Sequence, residues 1–261
     1  MLVGCRIVEY IISFRGYGVY MLEIKNILKT VVGEGNLGRI DFLRDLGTHP
    51  SWGGPFNGQK FRQRIFFDIL YCFPIKAIVE TGTYLGTTTS LFSATSLPVY
   101  TTEIHSRSFS YSKMRFLFQS ANVNLYQRDS RSFLKTLSLD SSVSKGDVFF
   151  YLDAHWKDDL PLREELDIIF SEWERPVVMI DDFQVPNTEY TFDDYGNGNR
   201  LDFNYIEPVV SARNLSVFYP AINSSVETGV KRGSVVLCNE MSGTEIERKI
   251  STLVRDNVCC L

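Results

Sequence analysis

The sequence predicts an α/β fold in which helices cover both faces of a mostly parallel sheet of seven strands. Short apolar runs alternate with segments of helical periodicity from residue 60 onward, and repeated strand–helix units give parallel sheets. The run 147–152 is apolar at nearly every position, which is typical of a strand buried on both faces. With 261 residues, 44% of them hydrophobic, the chain is long enough for one domain with a full core.

Each element follows from its local pattern. Strands are predicted where apolar and β-branched residues form short runs, and helices where apolar residues recur three and four positions apart, as Leu162, Leu166 and Ile169 do. The predicted strands are 77–80, 99–103, 123–126, 147–152, 176–180, 215–219 and 234–238. The predicted helices are 61–73, 87–96, 108–119, 130–137 and 161–173.

Residues 1–60 are predicted to form an N-terminal helical extension with a lid segment, and residues 61–261 the α/β domain. Residues 1–30 have the pattern of an amphipathic helix, and the apolar stretch 8–14 within them is far too short to span a bilayer. We therefore expect no stable membrane insertion, while a role at a membrane surface stays open. The extension is also a candidate surface for homo-oligomer formation.

The composition argues against several classes of partner. A net charge of −4 and the lack of a long basic run argue against nucleic-acid binding. The five cysteines form no C-x-x-C pair, so neither a disulfide framework nor a zinc site is indicated, which suits a reducing compartment. No clear signal-peptide cleavage site follows the apolar stretch 8–14. We expect a cytoplasmic protein that acts on a small-molecule substrate.

Two turn-rich segments are candidate lids. The segment 48–59 is dense in glycine and proline just before the first predicted helix of the α/β domain, and the segment 187–200 directly follows the fifth strand. Ligand sites in such sheets lie beyond the carboxyl ends of the strands, so a loop that leaves the fifth strand should lie over the site. Ordinary surface loops would have the same composition.

The segment 77–89 is predicted to be a strand, a glycine turn and the beginning of a helix, which is where open α/β sheets bind nucleotides. Gly82 and Gly86 allow a tight turn and a close approach of the backbone to a ligand. The spacing Glu80-x-Gly82-x-x-x-Gly86 lacks the middle glycine of the dinucleotide fingerprint, and no lysine follows Gly86 as a phosphate loop requires. An ordinary strand–turn–helix connection is the alternative interpretation.

Acidic residues follow the second and third strands. Glu103 closes the second strand 21 positions after Gly82, a spacing that suits an acid that binds ribose hydroxyls. A solvent-facing acid at a strand end is the alternative. Asp129 follows the third strand and either accepts a hydrogen bond from an adenine amino group or caps the helix that begins near Ser130.

Three aspartates follow the fourth and fifth strands. Neighbouring strands lie about 5 Å apart, so Asp153, Asp181 and Asp182 should meet at one edge of the sheet. Carboxylates this close repel one another unless a cation or a proton joins them, and oxygen ligands suit Mg²⁺, with Ca²⁺ or Mn²⁺ as alternatives. In the competing interpretation one aspartate caps the next segment, and the others are solvated or paired with Lys157 or Arg163.

His155 is one of only three histidines and lies two residues after Asp153. Imidazole titrates near neutral pH and is the natural general base for a hydroxyl proton. A metal ligand, or a structural hydrogen-bond partner of the following loop, is the alternative role for this side chain.

Four segments together carry a resemblance to a known family. They are Trp52-Gly53-Gly54-Pro55-Phe56-Asn57-Gly58-Gln59, Val79-Glu80-Thr81-Gly82, Leu152-Asp153-Ala154-His155-Trp156 and Ile180-Asp181-Asp182-Phe183. Over about residues 50–185 the chain resembles class I S-adenosylmethionine-dependent methyltransferases of the metal-dependent, small-molecule O-methyltransferase type. It is similar to the macrocin/novobiocin sugar O-methyltransferases and the cephalosporin hydroxylase-like group.

The resemblance implies a Rossmann-like, seven-stranded sheet and methyl transfer to a hydroxyl of a small polyol, sugar or glycosylated metabolite. It implies S-adenosyl-L-methionine and Mg²⁺ as cofactors, with Asp153, Asp181 and Asp182 as metal ligands and His155 and Asp153 as catalytic residues. The expected cofactor-binding residues are Glu80, Gly82, Thr83, Tyr84, Gly86, Thr87, Thr88, Glu103, Asp129 and Ser130. The rival functions are a non-catalytic or differently reacting binder of the same cofactor and a metal-dependent hydrolase on a related sheet.

Overall fold

One sheet of eight strands runs through the part of the chain that the computed structural model describes, residues 33–45, 51–119, 122–155 and 159–256. Its strands are β1 (Ala77–Thr81), β2 (Val99–Thr102), β3 (Val123–Tyr126), β4 (Asp147–Leu152), β5 (Arg175–Ile180), β6 (Leu215–Pro220), β7 (Val235–Asn239) and β8 (Leu253–Arg255). Their order across the sheet is β3-β2-β1-β4-β5-β7-β6-β8. Pairs among β1 to β5 are parallel, whereas β7 pairs antiparallel with β5 and β6, and β8 pairs antiparallel with β6.

All seven predicted strands are present, and each end falls within one residue of its predicted position. The predicted count of seven is wrong, because β8 adds an eighth strand at the edge of the sheet. Its three residues form too short a run to be recognised from an apolar pattern. The prediction of an α/β fold is confirmed, with the parallel strands grouped on one half of the sheet.

Eight helices lie in the described residues. They are α1 (Glu34–Asp45), α2 (Lys60–Cys72), α3 (Thr87–Ser93), α4 (Ser106–Gln119), α5 (Ser130–Leu139), α6 (Leu162–Glu172), α7 (Phe203–Arg213) and α8 (Glu240–Lys249). The sequence predicts α2 to α6 individually and α1 only as part of the helical extension 1–60, but it predicts neither α7 nor α8. Pro208 lies inside α7 and Gly243 inside α8, and both residue types indicate a helix break from sequence alone.

The predicted helix within residues 1–30 lies outside the described residues. The described part of the extension, α1, packs against α4. The rings of Phe42 and Tyr111 meet edge to face at 5.5 Å, and Arg107 donates to Asp41 at 2.6 Å. No helix among the described residues combines the length and apolarity that crossing a bilayer requires.

Alternation along β4 divides the core into two layers. Phe150 faces the layer that holds residues of α5, α6 and α7, whereas Phe149 faces the layer that holds residues of α2, α3 and α8. Neither phenylalanine is exposed. Successive side chains of a strand point to opposite faces, so a strand covered on both faces must be apolar at consecutive positions.

The register of the parallel strands aligns their carboxyl ends. Thr81 of β1 pairs with Thr102 of β2 and with Leu152 of β4, and Leu152 pairs with Ile180 of β5. The residues that follow these four strands therefore lie side by side along one edge of the sheet, which is where ligands bind in open α/β sheets.

Candidate functional site

A cavity of about 680 Å³ lies at this carboxyl edge. Most of its lining residues lie at the ends of β1 to β5 or in the stretches that follow them, and the segments 51–58, 187–200 and 230–232 contribute the others. The predicted site residues that line it are Gly82, Tyr84, Glu103, Asp129, Ser130, Asp153, His155 and Asp182. The predicted residues that do not line it are Glu80, Thr83, Gly86, Thr87, Thr88 and Asp181.

The glycine turn after β1 is closely packed on two sides. Gly82 has φ +88°, and a Cβ at this position would lie 2.2 Å from the carbonyl oxygen of Asp153. Gly86 has φ +75°, and its Cβ would lie 2.5 Å from the ring of Phe116. Both positions therefore require glycine, for conformation and for space. The turn brings the end of β1 against the backbone of the residue that follows β4.

Glu80 lies behind the turn in a buried hydroxyl network. Its Oε2 accepts hydrogen bonds from Thr89 at 2.5 Å and Thr101 at 2.6 Å, and Thr101 also shares a hydrogen bond of 2.6 Å with Thr83. Burial raises the pKa of Glu80 to about 7, against the two hydroxyl donors that lower it. Glu80 and Thr83 thus support the turn from within.

Replacing Glu80 by glutamine is expected to change how stability depends on pH. The pKa of Glu80 rises from 4.5 to about 7 on folding, so the folded state holds the proton more tightly and loses stability as the pH rises through this window. The loss amounts to about 3 kcal/mol above pH 7. Glutamine keeps an acceptor oxygen and carries no charge, so Glu80→Gln should match the native chain at pH 4, below both pKa values, and exceed its stability at pH 8.

Denaturant unfolding at the two pH values measures this difference. Replacement of Glu189, which is exposed, by glutamine is the control and should leave the pH dependence of the native chain unchanged. Parallel pH profiles for the native chain and Glu80→Gln would contradict the expectation.

Glu103 follows β2 and is 6% exposed at the cavity wall. Its Oε2 accepts the backbone N–H of Tyr84 at 2.8 Å, and its Oε1 accepts that of His105 at 2.7 Å. Burial raises the pKa of Glu103, and these backbone donors oppose the rise. The carboxylate is thereby fixed between the glycine turn and the end of β2.

Asp129 caps α5 and also lines the cavity. Its carboxylate accepts the backbone N–H groups of Arg131 at 3.1 Å and Ser132 at 3.3 Å, and the guanidinium of Arg131 lies 2.7 Å away. The side-chain hydrogen bond from Arg131 lowers the pKa of Asp129. The capping role is therefore present, and it leaves the Asp129 side chain about one-third exposed, next to Ser130 at the cavity wall.

The hydroxyl groups of Thr87 and Thr88 are directed to the segment 51–58 rather than to the cavity. Thr87 shares a hydrogen bond of 2.6 Å with Ser51, and Thr88 accepts the backbone N–H of Phe56 at 3.2 Å. Phe56 is fully buried. These contacts fix the segment over the first turn of α3.

Three predicted residues form what we call the Asp–His cluster: Asp153, His155 and Asp182. One ligand atom from each lies within 4.8 Å of the others. His155 Nε2 lies 3.9 Å from Asp153 Oδ1 and 4.0 Å from Asp182 Oδ2, and this buried nitrogen has no hydrogen-bond partner among the described residues. Carboxylate oxygens and an imidazole nitrogen at this spacing are able to bind one divalent cation.

The pKa values of the three cluster residues are shifted by burial and by neighbouring charges. Desolvation and the neighbouring Asp181 and Asp182 raise the pKa of Asp153 well above its ordinary range. Desolvation and Asp181 raise the pKa of Asp182 to about 7, although Arg232 opposes the rise. Burial lowers the pKa of His155 against the attraction of Asp193 and Asp181. All three directions disfavour additional charge in the absence of a cation.

The structure does not place Asp181 in the cluster. Its side chain is buried beside Arg62, which donates to Oδ1 and is equally buried. Asn57 donates to its Oδ2 at 3.1 Å, Tyr151 donates to the same oxygen, and the backbone N–H of Asp182 donates to Oδ1 at 2.7 Å. Burial would raise the pKa of Asp181, but Arg62 and these donors lower it below the ordinary value. Asp181 is a buried structural anion.

Three further charged residues at the site are absent from the sequence prediction: Arg62, Asp193 and Arg232. Arg232 donates through Nε to Asp182 at 2.6 Å and also pairs with Asp193. Of the two partners in the competing interpretation, Arg163 donates to the carbonyl of Tyr205, and Lys157 lies outside the described residues. Arg62 lies on the apolar face of α2, three and four positions before Ile65 and Phe66, and this spacing is the sequence signal that could have identified it.

The two candidate lids contribute Trp52, Asn57 and Asp193 to the cavity wall. The first is described from residue 51 onward and is joined to the chain after β6 through a hydrogen bond of 3.0 Å from Val230 N–H to the carbonyl of Asn57. The second is joined to β5 by a hydrogen bond of 2.9 Å from Asp193 N–H to the carbonyl of Asp182. Both segments are thus anchored at the carboxyl edge of the sheet.

Comparison with solved structures shows what this architecture is similar to. The O-methyltransferase from Bacillus cereus in complex with SAH superposes with a TM-score of 0.50 and 14% sequence identity, over 69% of this chain and 81% of that chain. The O-methyltransferase TomG from Streptomyces achromogenes, in complex with SAM, gives a TM-score of 0.49 and 14% identity, over 68% and 79%. No protein-family model and no curated protein matches the sequence. The likeness to the Bacillus cereus enzyme shows a shared fold.

Proposed function

We propose that this chain is an S-adenosyl-L-methionine-dependent methyltransferase that transfers a methyl group to a hydroxyl of a small polyol, sugar or glycosylated metabolite with the assistance of Mg²⁺. The observation that carries the proposal is that a single cavity is lined both by the glycine turn with Glu103 and by the Asp–His cluster. A donor at the first and an acceptor hydroxyl at the second would share one space. The shared fold supports this assignment.

The glycine turn and the residues after β2 and β3 fit the cofactor. Gly82 leaves the wall of the cavity without a side chain where the turn meets the Asp153 backbone. Each oxygen of Glu103 accepts one backbone N–H and keeps a second lone pair for a ribose hydroxyl. Asp129 and Ser130 line the wall after β3, where an adenine amino group would find an acceptor. When bound, the cofactor supplies an electrophilic methyl group.

Asp153 and Asp182 provide the carboxylate oxygens that Mg²⁺ prefers. When bound, a divalent cation lowers the pKa of a hydroxyl that it coordinates. His155 Nε2 faces the same acids, has no partner in the residues that the structure describes, and accepts the hydroxyl proton, because burial keeps its imidazole neutral near pH 7. Asp181 Oδ1 accepts the backbone N–H of Asp182 and so holds that residue in position. Trp52 and Tyr84 are exposed at the cavity wall and give the acceptor an apolar surface.

Binding of S-adenosylhomocysteine, measured by calorimetry with and without EDTA, tests the cofactor assignment. We expect binding that survives chelation, because none of the proposed cofactor contacts uses the cation. Glu103→Ala should weaken binding by about 10- to 100-fold through loss of a charged acceptor, whereas Glu189→Ala, at an exposed position outside the cavity, should not change it. Absence of binding to the native chain would overturn the proposed function.

Asp153→Asn tests the catalytic half of the site. We expect transfer of labelled methyl to a panel of polyhydroxylated acceptors to fall at least about 100-fold, because the cation loses a ligand. The affinity for S-adenosylhomocysteine should stay within about twofold, since the Asp153 backbone that packs on Gly82 is unchanged. Undiminished transfer by Asp153→Asn, or equal activity of the native chain with and without EDTA, would refute the metal assignment.

A further inference from the structure

Asp193 lies beside the Asp–His cluster although it follows β5 by many residues. Its Oδ2 is 3.9 Å from His155 Nε2, the same distance as Asp153 Oδ1 from that nitrogen. Its backbone N–H donates to the carbonyl of Asp182 at 2.9 Å, which ties the segment 187–200 to the end of β5. Asp193 also lines the cavity.

The atom at the centre of these carboxylates is unsatisfied. The His155 side chain is 3% exposed, and within the described part of the chain its Nε2 has no hydrogen-bond partner. Oxygens of Asp153, Asp182 and Asp193 surround it at 3.9 to 4.0 Å, which is beyond hydrogen-bond distance. Buried polar atoms are normally paired, so this nitrogen indicates a bound group in the space between it and the three acids, and a hydroxyl held there by a cation would donate to Nε2.

Arg232 fixes the orientation of two of the acids. It binds Oδ1 of Asp182 through Nε at 2.6 Å and Oδ1 of Asp193 through Nη2, and these are the oxygens that do not face His155. The backbone of Arg232 is held in turn by the Gln59 amide, which donates to its carbonyl at 2.9 Å and accepts its N–H at 2.7 Å. Tyr195 donates to Asp193 Oδ2. The other oxygen of each aspartate, Oδ2, is therefore directed toward His155, and Asp193 Oδ2 keeps a second lone pair besides the one that accepts from Tyr195.

The charges of this region do not balance without Asp193 and a cation. When ionised, Asp153, Asp181, Asp182 and Asp193 carry four negative charges, and the guanidinium groups of Arg62 and Arg232 offset two. A divalent cation neutralises the remaining two, whereas the same region without Asp193 would leave only one.

We propose that Asp193 is the third carboxylate of a divalent-cation site with Asp153 and Asp182, in the place that the sequence assigns to Asp181. The role of the cation in methyl transfer rests on the proposed function, but the presence of the site does not. Arg232 and Tyr195 position the Asp193 carboxylate, so that the segment 187–200 becomes part of the cation site.

Calorimetric titration of the full chain with Mn²⁺ tests this assignment. Asp193→Asn is expected to weaken Mn²⁺ binding by about 10- to 100-fold, the range for a residue that ligates or orients a ligand. Asp194→Asn is the matched control, because the Asp194 side chain is 46% exposed and contacts Arg200 at 3.8 Å. The Mn²⁺ affinity of this variant should stay within about twofold of that of the native chain. Equal affinities for the native chain and Asp193→Asn would overturn the proposal.

A second measurement uses the native chain, so its result does not depend on whether Asp193→Asn folds. Binding of diamagnetic Mg²⁺ shifts the NMR signals of carboxylates that coordinate it, so the side-chain carboxyl signal of Asp193 should shift at the same Mg²⁺ concentration as that of Asp182, while that of Asp194 should not. An unshifted Asp193 signal would refute its place in the site. Failure of S-adenosylhomocysteine to bind, with Mn²⁺ binding that still depends on Asp193, would reject the proposed function alone.

Discussion

Replacing Arg62 by methionine is expected to lower the free energy of unfolding by about 3–5 kcal/mol, the cost of leaving a buried carboxylate without its counter-charge. Arg62 and Asp181 each have 2% of the side chain exposed, so water cannot take the place of the guanidinium. Arg62 also donates to the carbonyl of Gly233 at 3.1 Å, a bond that methionine cannot make. Chemical denaturation at pH 7 measures the effect.

Arg107→Met is the matched control for this change. Arg107 pairs with Asp41, but the two side chains are 47% and 21% exposed, and solvent-exposed pairs contribute about 1 kcal/mol or less. Arg62→Met combined with Asp181→Asn removes both charges and should recover a substantial part of the lost stability. A loss for Arg62→Met no larger than that for Arg107→Met would show that Asp181 does not depend on this guanidinium.

Gly82→Ala is expected to abolish cofactor binding, with an affinity for S-adenosylhomocysteine at least about 100-fold weaker than that of the native chain. The added Cβ would lie 2.2 Å from the carbonyl oxygen of Asp153. Because the Cβ is bonded directly to the main chain and the oxygen belongs to it, the turn or the end of β4 must move. A displacement of about 1 Å in a binding site is enough for losses of this size. The displacement should also reduce methyl transfer, because Asp153 belongs to the Asp–His cluster.

Gly196→Ala separates the effect of space from that of conformation. Gly196 has φ +75°, close to the +88° of Gly82, but a Cβ there would meet nothing within 4 Å. We expect this variant to lose about 1–2 kcal/mol of stability, the cost of the left-handed conformation, and to bind S-adenosylhomocysteine normally. Equal binding losses in the two variants would attribute the effect of Gly82→Ala to the backbone angle rather than to contact with β4.

The sequence predicts the row of residues at the carboxyl edge well because strand ends follow from apolar runs. It does not predict which face each aspartate takes. Asp181 continues the alternation of β5 and enters the layer that contains Met179 and Tyr151. Asp182 has φ +52°, which ends that alternation and directs its carboxylate to the cavity. A residue with positive φ that is not glycine has no reliable signal in the sequence.

The partners of the aspartates depend on packing between distant segments, which local patterns do not encode. Arg62 appears in the sequence as one polar residue of an amphipathic helix, and only the position of α2 on the sheet brings it to Asp181. Asp193 lies in a segment without periodicity, so its approach to His155 follows from the fold of that segment alone. The same reasoning applies to Glu80, whose strand is predicted but whose burial behind the turn is not.

The hydrogen bonds between Gln59 and Arg232 join residues 173 positions apart, and the bond from Asn57 to Asp181 joins residues 124 positions apart. During synthesis, therefore, Asp153, Asp181 and Asp182 leave the ribosome well before Arg232 is available to bind them. A nascent chain that ends before residue 232 contains all of these acids but only one of the two arginines that bind them. The acidic edge of the sheet is consequently completed late, by an arginine that follows all of these acids in the chain.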